Sequence, residues 1–207
     1  MEKLTLKEKV YNDILDGIVK GEYSGGQILT EQELVQKYNV SKSPVREALL
    51  ILSSEGILKN IPRCGYQVFS FTMEDVSAIL EFRCVLESYT LTKIIPSIQP
   101  QQIAELNQIA EEGNTTPCGI WEHWDINMRF HLKLASYYNN PYIYNQIQQS
   151  MQYLKLSYAQ FYHSQWNATS IPNDLENHIN ILKALKKGNL DEALKFLRLD
   201  LAEFCIS

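Results

Sequence analysis

Val40-Ser41-Lys42-Ser43-Pro44-Val45-Arg46-Glu47-Ala48-Leu49 is the stretch that decides how this chain is read. With Leu52 beyond it, Val45, Ala48 and Leu49 recur at the spacing of one helical face. Ser41 is of the type that caps a helix, Pro44 falls in the first turn where its missing N–H is tolerated, and Gly56 stops the run. The opposite face shows Lys42, Ser43 and Arg46 within the first turn and a half. Lys42 and Arg46 are i, i+4 neighbours, placed to straddle a phosphate or to reach guanine O6 and N7 in a major groove. On an isolated helix such a face is an ordinary solvated surface with two cations. The flanking segments give it more meaning.

Upstream, Leu6, Val10, Ile14 and Ile18, with Tyr11 and Leu15 on the flank, predict a helix over about residues 5 to 20 that ends at Gly21. Glu22-Tyr23-Ser24-Gly25-Gly26 is turn chemistry, and Thr30-Glu31-Gln32-Glu33 reads as a capping box that opens a short helix with Leu34, Val35 and Tyr38 inward. Downstream of Gly56, Ile57 to Asn60 and Tyr66 to Phe69 read as two short strands around the basic turn Ile61-Pro62-Arg63-Cys64-Gly65. Three helices followed by a β-hairpin is the winged helix-turn-helix plan.

The charge is distributed to match. The 207 residues carry a net −5, which by itself argues against a phosphate partner. Residues 1–70, however, hold nine Lys+Arg against nine Asp+Glu, so the whole −5 lies in residues 71–207. Between 37 and 66, five cations face only Glu47 and Glu55. A weakly basic domain therefore precedes an acidic one, and the expected division is 1–71 and 72–207. With 45% apolar residues and few Gly and Pro, the chain is globular rather than disordered or fibrous. No signal-peptide pattern and no long apolar run occur, so a soluble cytoplasmic protein without membrane partners is expected. Cys64, Cys84, Cys118 and Cys205 form no C-x-x-C pair and read as reduced thiols.

Residues 73–207 carry no strand signal. They predict about six helices: one capped by Thr72 and ending near Pro96, then 100–112, 119–138, 141–163, 174–187 and 190–204. The turns between them are Glu112 to Pro117, Asn139-Asn140-Pro141 and Lys187-Gly188-Asn189. The fold class is thus mainly α, a winged helix-turn-helix followed by an all-α bundle with room for an internal cavity. Arg83 among apolar neighbours is either paired with Glu87 at i+4 or open to a ligand carboxylate.

The segment from Val40 to Leu49, with Leu52, Glu55-Gly56-Ile57-Leu58 and Gly65-Tyr66-Gln67-Val68, resembles the DNA-binding domain of the GntR family of bacterial transcription regulators over about residues 5 to 70. In that family a helix-two arginine, two helix-three cations and the wing tip contact DNA. The resemblance implies those roles for Gln32, for Lys42 and Arg46 with Ser43 beside them, and for Arg63 with Gly65. Gln32 stands where arginine is common and Cys64 where the wing often has arginine, which implies weaker phosphate attraction or an altered operator preference.

Further on, Glu81-Phe82-Arg83-Cys84-Val85-Leu86-Glu87, Phe130-His131 and Glu176-Asn177-His178, with Ala184 and Gly188 behind, resemble the FadR-type, or FCD, effector domain of the same family. Members often hold a metal through an Asp, a His one turn later and two further His. The resemblance places those positions at Asn127, His131, His178 and Asp200, so one carboxylate is lost and another gained. Such an N,O set suits zinc, nickel, manganese or iron(II); the alternative is two buried, hydrogen-bonded histidines without an ion. His123 and His163 read as structural.

The expected function is a dimeric, ligand-responsive regulator, a repressor binding double-stranded operator DNA and sensing a small carboxylate effector, with Arg83 as an effector contact. One rival is a metal-dependent helical enzyme, which leaves residues 40–68 unexplained. The other is a DNA-binding protein whose C-terminal domain only dimerises.

Overall fold

The computed structural model describes residues 4–115, 120–162 and 174–203. Cys118, His163, Cys205 and the Thr116-Pro117 end of the first bundle turn lie outside them. Helix α1 spans Leu6–Val19, opened by a reciprocal capping box between Thr5 and Glu8, and buries Val10, Ile14 and Ile18. Helix α2, Glu31–Tyr38, starts from the capping box of Thr30 and Glu33 that the spacing predicts, and ends at Asn39 in the left-handed region. Helix α3, Lys42–Ser54, buries Val45, Ala48, Leu49 and Leu52 against α1 and α2. Ser41 holds the N-cap position, yet its side chain makes no capping hydrogen bond.

The hairpin forms from β2, Leu58–Ile61, and β3, Gly65–Val68. A third strand that the sequence reading did not anticipate, β1 at Ile28–Leu29, pairs antiparallel with β3 and makes the order β1-β3-β2. Two residues are too short to show an alternation, so β1 exists only because β3 offers it an edge. Tyr66 and Val68 point inward from β3, and this alternation fixes the register of the wing.

Among the described residues six further helices follow: α4 Met73–Ile94, α5 Pro100–Thr115, α6 Ile120–Ser136, α7 Pro141–Tyr162, α8 Asp174–Lys187 and α9 Leu190–Ala202. Helix α5 runs three residues past its expected end, through Gly113. A Cβ on Gly113 would meet Leu175 Cδ2 at 2.7 Å, so this glycine serves the close approach of α8 instead of stopping the helix. The chain divides into two compact units, one of the described residues up to Thr72 with the end of α7 from Lys155, the other starting at Met73 and holding the remaining helices. In the second unit, Leu91, Ile94, Leu106, Phe130, Ile181, Leu185 and Leu197 belong to one core shared by α4, α5, α6, α8 and α9. Among the described residues no helix is long and apolar enough to cross a membrane.

The wing register has a direct test. Gly65 has φ +130, and a Cβ there would stand 2.6 Å from the Leu29 carbonyl oxygen of the neighbouring strand. Urea unfolding is expected to show Thr30→Ala losing about 1 kcal/mol through its cap and Gly65→Ala losing about 2 kcal/mol or more. A Gly65→Ala protein as stable as the parent would contradict this strand pairing.

Candidate nucleic-acid interface and metal centre

Helices α2 and α3 meet across the left-handed Asn39, and burial of the apolar face of α3 turns its other face outward. Lys42, Ser43 and Arg46 are all exposed on it, and Gln32 is exposed on α2. The wing tip is a four-residue turn closed by the Cys64 N–H donating to the Ile61 carbonyl at 3.0 Å. Pro62 sits at its second position and Arg63, with φ 65, at its third, where a type II turn usually takes glycine. The strained residue thus carries the exposed cation of the tip, with Gly65 opening β3 behind it.

One residue of this surface escaped the sequence reading. Glu31 stood there only as part of a capping-box motif, yet its carboxylate lies 3.1 Å from Lys42 Nζ and 3.8 Å from Arg46 Nε. The pair crosses a turn between two helices, so no local spacing announces it.

In the second unit α9 packs on α4 and α8, and α6 on α8. This packing gathers a set of buried polar side chains. Asn127 and His131 lie one turn apart on α6, His178 on α8 and Asp200 on α9, none more than 1% exposed. His131 Nε2 is 3.0 Å from Asp200 Oδ2 and 3.3 Å from His178 Nε2, which is itself 3.3 Å from Asp200 Oδ1. Two donors bound to one ion at about 2.1 Å stand roughly 3.0–3.4 Å apart at angles of about 90 to 110°. The three side chains therefore already sit at ligand spacing. Asn127 offers an amide on the same helix, without a carboxylate's charge.

The second layer explains why the imidazoles face this way. Arg83 and Glu87, 1% and 2% exposed on α4, form an ion pair in which Nε and Nη2 of the guanidinium each lie 2.8 Å from Glu87 Oε1. The other oxygen, Oε2, lies 2.5 Å from His131 Nδ1. A carboxylate only accepts, so Nδ1 carries the proton and Nε2 turns toward Asp200 and His178. Phe130 stacks on His178, with centroids 3.9 Å apart and planes at 14°, and so holds the plane of the second ring. In the sequence Glu87 stands as an i+4 partner for Arg83 and within the Glu81 to Glu87 stretch, and neither points to His131.

The electrostatics follow from this geometry. His131 Nε2 and the Asp200 carboxylate are both acceptors in their ordinary states, and two acceptors 3.0 Å apart attract only with a positive charge between them. Either a proton on Nε2 or a metal cation supplies it. Burial pushes the His131 pKa down, but the charges of Glu87 and Asp200 overcome this and raise it to about 9. Asp200 is pushed up by burial and held well below the carboxylate range by His178 and His131. Glu87 is likewise pushed up by burial, and Arg83 and His131 bring it below its usual value. The residues that converge thus fit a divalent cation: two nitrogen donors and one charged oxygen around a point that demands positive charge.

In chelator-treated protein the proton must hold this place. The native state then binds it more tightly than the unfolded chain, so the stabilisation from His131 is complete below pH 6.5 and lost as pH rises through about 9. The contributions of Asp200 and Glu87 run the other way, present above their ordinary pKa values of 3.8 and 4.5 and lost in acid. Thermal unfolding of stripped protein is expected to fall in midpoint between about pH 7 and pH 9.5, a fall that added metal removes. A flat profile for stripped protein across that range would contradict the described network.

Comparison with known proteins agrees with both halves. Residues 6–68 match the family model described as bacterial regulatory proteins, gntR family, and residues 78–203 match that of the FCD domain. An uncharacterized HTH-type transcriptional regulator YdhC of Bacillus subtilis is 27% identical over 88% of this chain and 82% of its own length. The gluconate operon transcriptional repressor of Bacillus licheniformis is 27% identical over 87% of this chain and 75% of its own. Among solved structures, E. coli McbR/YncC superposes with a TM-score of 0.78 at 24% identity, covering 97% of this chain and 95% of that one, which speaks for the fold. The chain belongs to the gntR family of bacterial transcription regulators, with a winged helix-turn-helix DNA-binding domain followed by a helical FCD domain.

Proposed function

We propose that this regulator is a dimeric repressor whose FCD domain senses a small carboxylate through a divalent metal ion. The observation that carries the reading is the convergence of His131 Nε2, His178 Nε2 and the Asp200 carboxylate, all buried and at ligand spacing. His131, His178, Asp200 and Asn127 would hold the ion, which when bound supplies a Lewis-acidic point for an anionic ligand. Arg83 and Glu87 hold His131 in the tautomer that exposes Nε2, and Arg83 is the buried cation of the same network toward an acid's charge. A relative bears the name of a gluconate operon repressor, and a sugar acid is an effector of the chemistry this centre accepts.

On the DNA side, residues 1–71 would act as the reading head and 72–207 as sensor and dimer contact. Gln32, Lys42, Ser43, Arg46, Arg63 and Gly65 form the contact set. So few cations on one winged helix bind weakly, and two copies on a palindrome multiply affinity through effective concentration. The effector would act through its differential affinity for two arrangements of the dimer.

Two experiments test these assignments. In fluorescence anisotropy with an operator selected from random duplexes, Arg46→Ala is expected to lose about 1–3 kcal/mol of specific binding. Arg63→Gly, which keeps the turn and removes its cation, is expected to weaken all sequences alike and to flatten the salt slope by about 1. Parent-like binding by both would overturn the interface.

For the metal, calorimetric titration of chelator-stripped variants is expected to show His131→Ala and His178→Ala losing the site while still shifting DNA. Asp200→Ala is expected to weaken metal binding and Asn127→Asp to tighten it, each by about tenfold or more. Unchanged metal affinity across the four variants would overturn the ligand set.

A further inference from the structure

We infer that Glu31 sets the specificity of the DNA interface by holding Lys42 and Arg46 off the phosphates and in position for base edges. This rests on the reading of α3 as the base-reading helix. Glu31 is the first residue of α2, and its side chain is 24% exposed, against 72% for Lys42 and 65% for Arg46. The carboxylate is therefore set at the base of the interface and the two cations reach over it from the next helix.

Its two oxygens are divided between the cations, Oε2 to Lys42 Nζ at 3.1 Å and Oε1 to Arg46 Nε at 3.8 Å. Contact through Nε is the informative detail. It keeps the two terminal nitrogens of the guanidinium off the carboxylate, available to meet guanine O6 and N7 with two parallel hydrogen bonds. A free arginine on an exposed helix samples many rotamers and meets the nearest phosphate first. At 3.8 Å the Nε contact is a charge attraction longer than a hydrogen bond, and it biases the guanidinium toward Glu31 before DNA arrives.

Charge acts in the same direction. Lys42 and Arg46 alone offer +2 to the backbone, and with Glu31 between them the group offers +1, so fewer counterions are released on any sequence. In water such exposed pairs are worth little. Against a duplex, where water leaves, the same carboxylate repels phosphates that crowd the two cations and attracts the cations more strongly. A guanine in register repays the arrangement and a bare phosphate does not.

The cap of α2 does not require Glu31, because Thr30 and Glu33 fill the reciprocal capping box. A purely local role, as an acid in the first turn of a helix, predicts a slight loss of stability with discrimination unchanged.

The test uses the intact metal-loaded chain and two duplexes, an operator selected by the parent from random DNA and a scrambled control, across a salt series. Glu31→Gln, nearly isosteric, is expected to bind the scrambled duplex several-fold more tightly, with a salt slope steeper by about 1. Its operator-to-scrambled preference is expected to fall by roughly tenfold. Glu22→Gln is the control for net charge, since it removes one carboxylate that pairs with Lys37 instead. A Glu31→Gln protein with the parent's preference, or a Glu22→Gln protein with the same loss, would overturn the inference. Arg46→Ala separates this from the underlying reading. If it binds the operator as the parent does, the interface itself is wrong; if it is impaired while Glu31→Gln keeps the preference, only the role of Glu31 is wrong.

Discussion

Asp200 is a fully buried carboxylate, and the second unit is organised around the positive charge it requires. An unpaired carboxylate in that position would cost several kcal/mol and would protonate instead. Two imidazole nitrogens meet it, from α6 and α8, while the carboxylate itself comes from α9. Glu87 on α4 fixes one of those imidazoles and is in turn neutralised by Arg83. Four helices are thus tied through one chain of charges. Removing one partner of such a set leaves another charge buried and unmatched, at a cost of about 3–5 kcal/mol. The polar centre and the surrounding apolar core of Phe130, Ile181 and Leu197 specify the same helix arrangement, since Phe130 belongs to the core and also stacks on His178.

Metal and proton are alternatives for the same place. With neutral imidazoles, a divalent ion gives the group of Arg83, Glu87, Asp200 and ion a net +1, whereas a single proton on His131 gives a net zero. A monoanion balances the first state and has no charge to balance in the second. On the proposed reading, the same few residues would favour a carboxylate effector when the ion is bound and give it no charge to balance when the ion is removed.

Much of this was legible in the sequence, for physical reasons that differ by element. Helix α3 shows itself because Val45, Ala48, Leu49 and Leu52 are forced inward by period, leaving Lys42, Ser43 and Arg46 to the other side. Thr30 and Glu33 declared the start of α2 through a bond confined to four residues. His131 and Asn127 were readable as one helix face. What stayed hidden crosses between elements. Strand β1 depends on an edge supplied 37 residues later, where Leu29 pairs with Tyr66. Gly113 reads as a stop until Leu175 is seen against it. Glu31 reads as a helix-start acid until α3 brings two cations over it. Glu87 lies 44 residues from the His131 it orients, so only its partnership with Arg83 was local.

Elemental analysis of protein purified without chelators tests the metal centre most directly. About one equivalent of a single divalent transition metal per chain is expected, lost on dialysis against chelator and restored on reloading. Less than about a tenth of an equivalent, unchanged after reloading, would mean that a proton alone occupies the place between His131 and Asp200 and that the sensor works without an ion.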